Sequence, residues 1–233
     1  MSAPGAPDAQ TLAAAQARYV QMQDEALRRG PLARVAEWIQ AGKAPPAEQL
    51  RSQGLMTPPH DETRIPEFRM ARKAFVRTYG FSIPCAEAIG VLARLAPLVE
   101  IGAGTGYWSA LLRNAGLDVV TTDAFPVGDI GYGFQAGRFC EAEALTGDAA
   151  VRAYPERNVF CSWPTQDSPW ALAAVRAMAP GRRLALIGEP RGGETGTPGL
   201  HRYLETRFRL LGTLAIPQFP KERDALFVYE RIR

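Results

Sequence analysis

Val99-Glu100-Ile101-Gly102-Ala103-Gly104-Thr105-Gly106-Tyr107-Trp108 reads as the end of a short apolar strand, a glycine turn and the first residues of a helix. Glycine at alternate positions gives the backbone conformations closed to other residues and lets a ligand approach the main chain. A dinucleotide-binding turn needs G-x-G-x-x-G, whereas here the third glycine comes one position early and Tyr107 stands where that turn wants Gly or Ala. Glu100, two residues before the first glycine, would repel a diphosphate. The stretch therefore points away from NAD and ATP and toward a cationic ligand.

On the carboxyl side of this turn the chain alternates short apolar runs with helical stretches, the pattern of a parallel α/β sheet. Strands are expected at Leu98–Ile101, Val119–Thr122 ending on Asp123, near Ala144, and at Val159–Ser162, Leu184–Ile187, Arg209–Ala215 and Ala225–Tyr229. The last two leave no room for a helix between them, so they form an antiparallel pair. On the amino side, residues 1–96 are rich in Ala, Gln, Arg and Glu and read as five helices: one N-capped by Thr11 and stopped at Gly30-Pro31, then Leu32–Gln40, a short one between Pro46 and Thr57, Ile65–Arg77, and one opened by Pro84. The expected fold is α/β, a Rossmann-like seven-stranded, mostly parallel sheet with a final antiparallel strand over residues 97–233, preceded by a helical cap over residues 1–96.

Composition narrows the function. The 233 residues are 46% apolar and 22% charged, with a net charge of +3 and no run of 18 uncharged apolar residues, so disordered and membrane-spanning readings drop out. No polybasic stretch offers itself to nucleic acid or to a membrane, which leaves a small-molecule partner. Residues 1–10 lack a basic stretch followed by an apolar core, and three cysteines (Cys85, Cys140, Cys161) cannot pair completely; the expectation is a reducing cytoplasm. With two separated histidines, His60 and His201, and no C-x-x-C, no metal site is expected. Both histidines read as surface residues, and Cys140 and Cys161 as buried apolar ones.

The chain resembles the class I S-adenosylmethionine-dependent methyltransferases, whose first motif reads E/D-x-G-x-G-x-G and is matched by Glu100, Gly102, Gly104 and Gly106. The resemblance continues at Asp123, 21 residues after Gly102, where the family places an acid for the ribose hydroxyls, and at Gly147-Asp148, similar to the motif that meets the adenine amino group. It covers residues 97–233, with Tyr79–Pro84 similar to a lead-in segment folded over the methionine part. It implies S-adenosylmethionine as cofactor, held by Glu100, Gly102, Ala103, Gly104, Gly106, Tyr107, Trp108, Asp123, Ala124, Gly147, Asp148, Ala149 and Ser162.

The acceptor side departs from the family. Methyltransferases acting on amino groups often carry N/D-P-P-Y/F after the fourth strand; here the stretch is Cys161-Ser162-Trp163-Pro164-Thr165, which disfavours an amide or exocyclic amine. Trp163 presents a face for a sulfonium, Glu189 can orient or deprotonate an ammonium, and Tyr79 and Tyr132 are aromatic candidates, so Trp163, Glu189, Tyr132 and Tyr79 are the candidate catalytic residues. For each the bland alternative is a core position or, for Glu189, an ion pair with Arg191 on a solvated loop. Methyl transfer to a small molecule is the leading reading. The chain also looks like the methyltransferase-fold cyclases that convert S-adenosylmethionine to azetidine-2-carboxylate and methylthioadenosine. A non-catalytic S-adenosylmethionine-binding subunit is a third possibility.

Overall fold

A computed structural model describes residues 8–56, 65–125, 128–129 and 135–233. Among them the elements run α1 (Ala9–Arg29), α2 (Ala33–Gln40), α3 (Ala47–Ser52), α4 (Ile65–Thr78), α5 (Ala86–Ala93), β1 (Leu98–Ile101), α6 (Tyr107–Asn114) and β2 (Val119–Asp123). There follow β3 (Gly128–Asp129), β4 (Gln135–Ala136), β5 (Glu143–Ala144), α7 (Gly147–Ala153), β6 (Asn158–Ser162), α8 (Trp170–Ala177), β7 (Arg183–Gly188), α9 (Pro198–Arg207), β8 (Phe208–Ala215) and β9 (Ala225–Arg231). Asp8, not Thr11, caps α1: its carboxylate accepts from the Thr11 amide at 2.7 Å, a bond that a carboxylate three residues upstream is placed to make. Likewise α5 starts at Ala86, two residues after Pro84.

Seven strands form one sheet in the order β5-β2-β1-β6-β7-β9-β8. The pairs from β5 to β7 are parallel, and β9, the last strand of the chain, inserts antiparallel between β7 and β8. The order reverses between β1 and β6, so the crevice at their carboxyl ends is the ligand-binding position of a doubly wound sheet. Separately, β3 and β4 pair as a small antiparallel ribbon.

Strand alternation builds a core on each face. Leu98, Phe160, Ala185, Ile187 and Leu226 point to one, which they share with Leu27, Leu32, Val35, Ile39 and Phe75 of the amino-terminal helices and with Trp108 and Leu111 of α6. Val99, Ile101, Val159, Cys161, Leu184 and Leu186 point to the other, covered by α7, α8 and α9. Residues 1–96 therefore cover one face of the sheet through a core common to both segments. Along β8 the ladder jumps: Leu210 opposes Tyr229, Gly212 opposes Val228, and Leu211 is the extra residue of a bulge. The bulge reverses the alternation, which returns Leu214 to the helix-covered face opposite Leu226.

Because the amino-terminal helices complete that core, truncating one of their buried residues should destabilise the whole chain. Leu32 is fully buried. Leu32→Ala is expected to cost about 2–5 kcal/mol in denaturant-induced unfolding, as a single transition; a loss confined to the helical signal, with the sheet melting as before, would show two separable cores.

Candidate functional site

The carboxyl ends of β1, β2 and β6 open into a cavity of about 360 Å³, within the usual range for small-molecule sites. Its floor is the turn from β1 to α6. Gly102, Gly104 and Gly106 have φ of +63°, +57° and +77°, a region that other residues enter only with strain. A Cβ on Gly102 would lie 2.5 Å from the Trp170 ring, and one on Gly106 2.8 Å from the Cys140 carbonyl oxygen. The spacing of glycines in the sequence is thus a requirement of both backbone and neighbours.

Asp123, at the end of β2, lines the cavity and is nearly buried. One carboxylate oxygen accepts from the Gly104 amide at 2.8 Å and the other from the Phe125 amide at 2.8 Å. A carboxylate offers about four acceptor positions, so capacity remains for a ligand. Burial nevertheless holds its pKa above the ordinary value, the amides opposing that shift. Glu100 also lines the cavity, 1% exposed, and accepts from the Ser109 hydroxyl. Burial pushes its pKa up to about 8, with Asp123 adding repulsion and Arg113 opposing. No lysine, arginine or histidine stands among the described lining residues.

The segment joining α4 to α5 borders the cavity through Tyr79, Gly80 and Phe81. The Thr105 hydroxyl donates to the Tyr79 carbonyl, and Ser82 acts as a hub. Its carbonyl accepts from the Tyr107 hydroxyl, its Oγ accepts from Trp108 Nε1 at 3.0 Å, and the same Oγ lies 2.7 Å from Ser162 Oγ. Gly80 must be small here: a Cβ would lie 2.9 Å from the Tyr107 ring. Tyr79 borders the cavity, yet its hydroxyl is turned to α2, 3.5 Å from the Ala36 carbonyl, so its contribution at the cavity is not that of an acid or base.

Of the candidate residues, Glu100, Gly102, Ala103, Gly104, Tyr107, Trp108, Asp123, Ala124, Gly147, Ser162, Trp163 and Tyr79 line the cavity, while Gly106 lies in the same turn but outside the lining, against Cys140. Others are placed elsewhere. Asp148 sits outside the lining, its carboxylate taken by the Thr146 hydroxyl at 2.7 Å and by Arg152 at 2.5 Å; Ala149 follows it on α7. Glu189 is buried outside the lining: its oxygens accept from the amides of Glu194 at 2.6 Å and Arg223 at 2.8 Å, which ties together the loops after β7 and before β9. Arg191 pairs with Glu205 rather than with Glu189. His201 is buried, with Nε2 2.8 Å from the Thr195 carbonyl, so the expectation of a surface histidine fails there. Cys161 is buried and Cys140 half-buried beside Gly106. Tyr132 and His60 lie outside the described residues. No group of three or more His, Cys, Asp or Glu side chains that could hold a metal occurs among the described residues, and no helix among them is long and apolar enough to cross a membrane.

Sequence reasoning missed Phe125, Thr146, Thr165, Ser168 and Trp170 in the lining, and had Phe81 and Thr105 only as members of longer stretches. Trp170 opens α8, donates from Nε1 to Thr165 Oγ1 at 3.0 Å, and packs against both Gly102 and Gly147. A tryptophan at the start of a helix just after a central strand was the available signal.

No protein-family model matches the chain, and comparison with curated proteins finds no match. Solved structures with a similar layout include the O-methyltransferase TomG from Streptomyces achromogenes, in complex with SAM, at 15% identity over 85% of this chain and 98% of that one, with a TM-score of 0.41. The mitomycin 7-O-methyltransferase MmcR shows 15% identity over 97% of this chain and 73% of that one, with a TM-score of 0.40. An rRNA methylase from Streptococcus thermophilus shows 17% identity over 63% and 96% respectively, with a TM-score of 0.39. At such identities and scores the likeness does not bear on ligand or chemistry, which rest on the chain's own residues.

Two buried carboxyls, Glu100 and Asp224, and the half-buried Glu222 give the fold a pH signature. Burial is the first cause of each shift, holding Glu100 at about 8, Glu222 at about 7 and Asp224 at about 8, against 4.5, 4.5 and 3.8 for the free groups. Between the free and folded values the folded chain binds more protons than the unfolded one, so stability falls as pH rises through that window. The melting temperature is expected to decline from about pH 5 to about pH 8, and Glu100→Gln to flatten the decline; a melting temperature that climbs over this range would contradict the assignment.

Proposed function

We propose that the chain binds S-adenosylmethionine in this cavity and catalyses methyl transfer to a small-molecule acceptor. The observation that carries the reading is one cavity at the β1/β6 crevice, floored by a turn with three left-handed glycines and lined by a carboxylate at the end of β2 and a buried acid on β1. The residues fit the cofactor chemically. Asp123 suits a pair of vicinal hydroxyls, Gly147 and the Trp170 ring offer apolar surface for a base, and a lining with two acids and, among the described residues, no lysine, arginine or histidine suits a positively charged ligand. The aromatic faces of Phe81 and Trp163 add cation–π attraction. When bound, S-adenosylmethionine supplies a methyl group on positive sulfur, which departs as a neutral thioether.

The chain's own work is then positioning and exclusion of water. Ser82 holds the segment between α4 and α5 down on Tyr107, Trp108 and Ser162, closing the cavity from the side of the amino-terminal helices. Ser162 Oγ, bordering the cavity and bonded to Ser82, orients what lies beside it. A net charge of +3 without a basic stretch supports a small-molecule acceptor over nucleic acid or membrane, and three cysteines that cannot pair completely support a cytoplasmic location. A second reading, cyclisation of S-adenosylmethionine to azetidine-2-carboxylate, is favoured by a specific feature: at about 360 Å³ the cavity lies near the lower end of ligand-site volumes, and no acceptor-gripping motif follows β6.

Calorimetry should show saturable binding of S-adenosylmethionine and none of NAD or ATP. Asp123→Ala is expected to weaken it by about 1–3 kcal/mol, the cost of leaving buried hydroxyl groups unpaired; unchanged affinity in that variant would sink the site. A cation beside Glu100 favours its ionised form, so binding near neutral pH should release protons, read from the buffer dependence of the calorimetric heat, and Glu100→Gln should abolish that release.

Incubating the protein with S-adenosylmethionine alone separates the chemistries. Methyl transfer predicts an inert mixture until an acceptor yields S-adenosylhomocysteine. Cyclisation predicts methylthioadenosine above the spontaneous rate with no acceptor present. Tight binding without either product under a broad acceptor panel would leave a binding subunit.

A further inference from the structure

Behind the aromatic wall of the cavity lies a carboxylate that the reading above does not use. Trp163 Nε1 donates to both oxygens of Asp224, each at 2.9 Å. Asp224, the residue before β9, is fully buried, and its carbonyl accepts from Gln218 Nε2 at 2.9 Å. Trp163 itself has φ of +57°, a left-handed conformation that is strained for a bulky side chain and persists only where the surroundings enforce it. Its amide donates to the Ile187 carbonyl at 2.8 Å, and its ring stacks on Phe81 with centroids 5.0 Å apart and planes 11° from parallel. Both rings line the cavity.

Burying a carboxyl group at this depth costs free energy that an aliphatic side chain of similar size would avoid. The cost coincides with a strained backbone at the residue the carboxylate holds, and both act on the orientation of one indole plane. Free rotation about the bond to an aromatic ring is broad, so stacking alone leaves the plane weakly fixed. An indole N–H held between two acceptor oxygens removes that freedom. We propose that Asp224 is a positioning residue, which fixes the Trp163 indole and through it the Phe81 ring as the rigid wall of the ligand site. Its effect on affinity rests on the proposed binding of S-adenosylmethionine; its effect on the indole does not.

The four tryptophans give four indole N–H resonances in nitrogen-15-labelled protein, and Trp163→Phe identifies the one that matters. In Asp224→Leu that resonance should move and its hydrogen exchange quicken by about tenfold or more. Asp224→Asn, which keeps an acceptor oxygen, should lie between it and the parent chain. Affinity for S-adenosylmethionine should fall in the same order, by about tenfold in Asp224→Leu. An indole resonance and exchange rate unchanged in either variant overturn the proposal, as does a moved resonance with unchanged affinity. If Asp224→Leu does not fold, Asp224→Asn decides by the same criteria. Should the parent chain not bind S-adenosylmethionine, the proposed function fails instead, and the indole resonance alone decides whether Asp224 holds the ring.

Discussion

The arrangement of the site depends on a turn that has no room for side chains. Between β1 and α6 the chain takes three left-handed steps, at Gly102, Gly104 and Gly106, and each neighbour is placed by what those residues lack. Trp170 lies where a Cβ on Gly102 would be, Cys140 where one on Gly106 would be, and Asp123 reaches the Gly104 amide. Thr105, between two of the glycines, bonds to the Tyr79 carbonyl and so couples the turn to the segment leading from α4. Glycine is entropically expensive in a folded chain. Here that cost brings an aromatic surface, an acid from β2 and the segment between α4 and α5 within reach of one main-chain curve.

Electrostatics at the same end of the sheet divide into two groups. Glu100 and Asp123 border the cavity, while Glu189, Glu222 and Asp224 sit behind it, with Arg72 beside Glu222 and Arg223 beside Glu189. The rear group is largely spent on structure: Glu189 binds two amides and Asp224 an indole. The front group keeps unspent acceptor positions. Burial that raises Glu100 toward neutrality lowers the cost of holding an acid there without a ligand, and a cation entering the cavity would restore its charge.

Much of this was legible in the sequence because it depends on local pattern. Every strand of the main sheet except β5, which is Glu143-Ala144, follows from a short apolar run, and the glycine turn and Asp123 follow from spacing alone. Less legible were features set by how side chains turn locally or by distant contacts. Thr11 reads as a cap until Asp8 is seen to reach its amide. His201 reads as a surface residue because the spacing does not show that the chain six residues earlier turns its Thr195 carbonyl onto the ring. Glu189 reads as a ligand-facing acid because it follows β7, but its oxygens meet amides of Glu194 and Arg223, the second 34 residues away in sequence. The segment 1–96 reads as a separate cap because composition changes at residue 97, whereas the apolar core runs across that boundary.

The two borders of the main sheet are unequal. β5 is two residues long, while β8 is eight residues long with Leu210 and Leu211 exposed, and an edge of that length presents unpaired main-chain groups on which another polypeptide can add. The bulge at Leu211 counters this. Besides returning Leu214 to the core, it breaks the even spacing of donors and acceptors and increases the local twist, so a straight incoming strand cannot match the whole edge. One inserted residue thus serves both packing and colloidal behaviour, protecting the chain from edge-to-edge aggregation at high concentration.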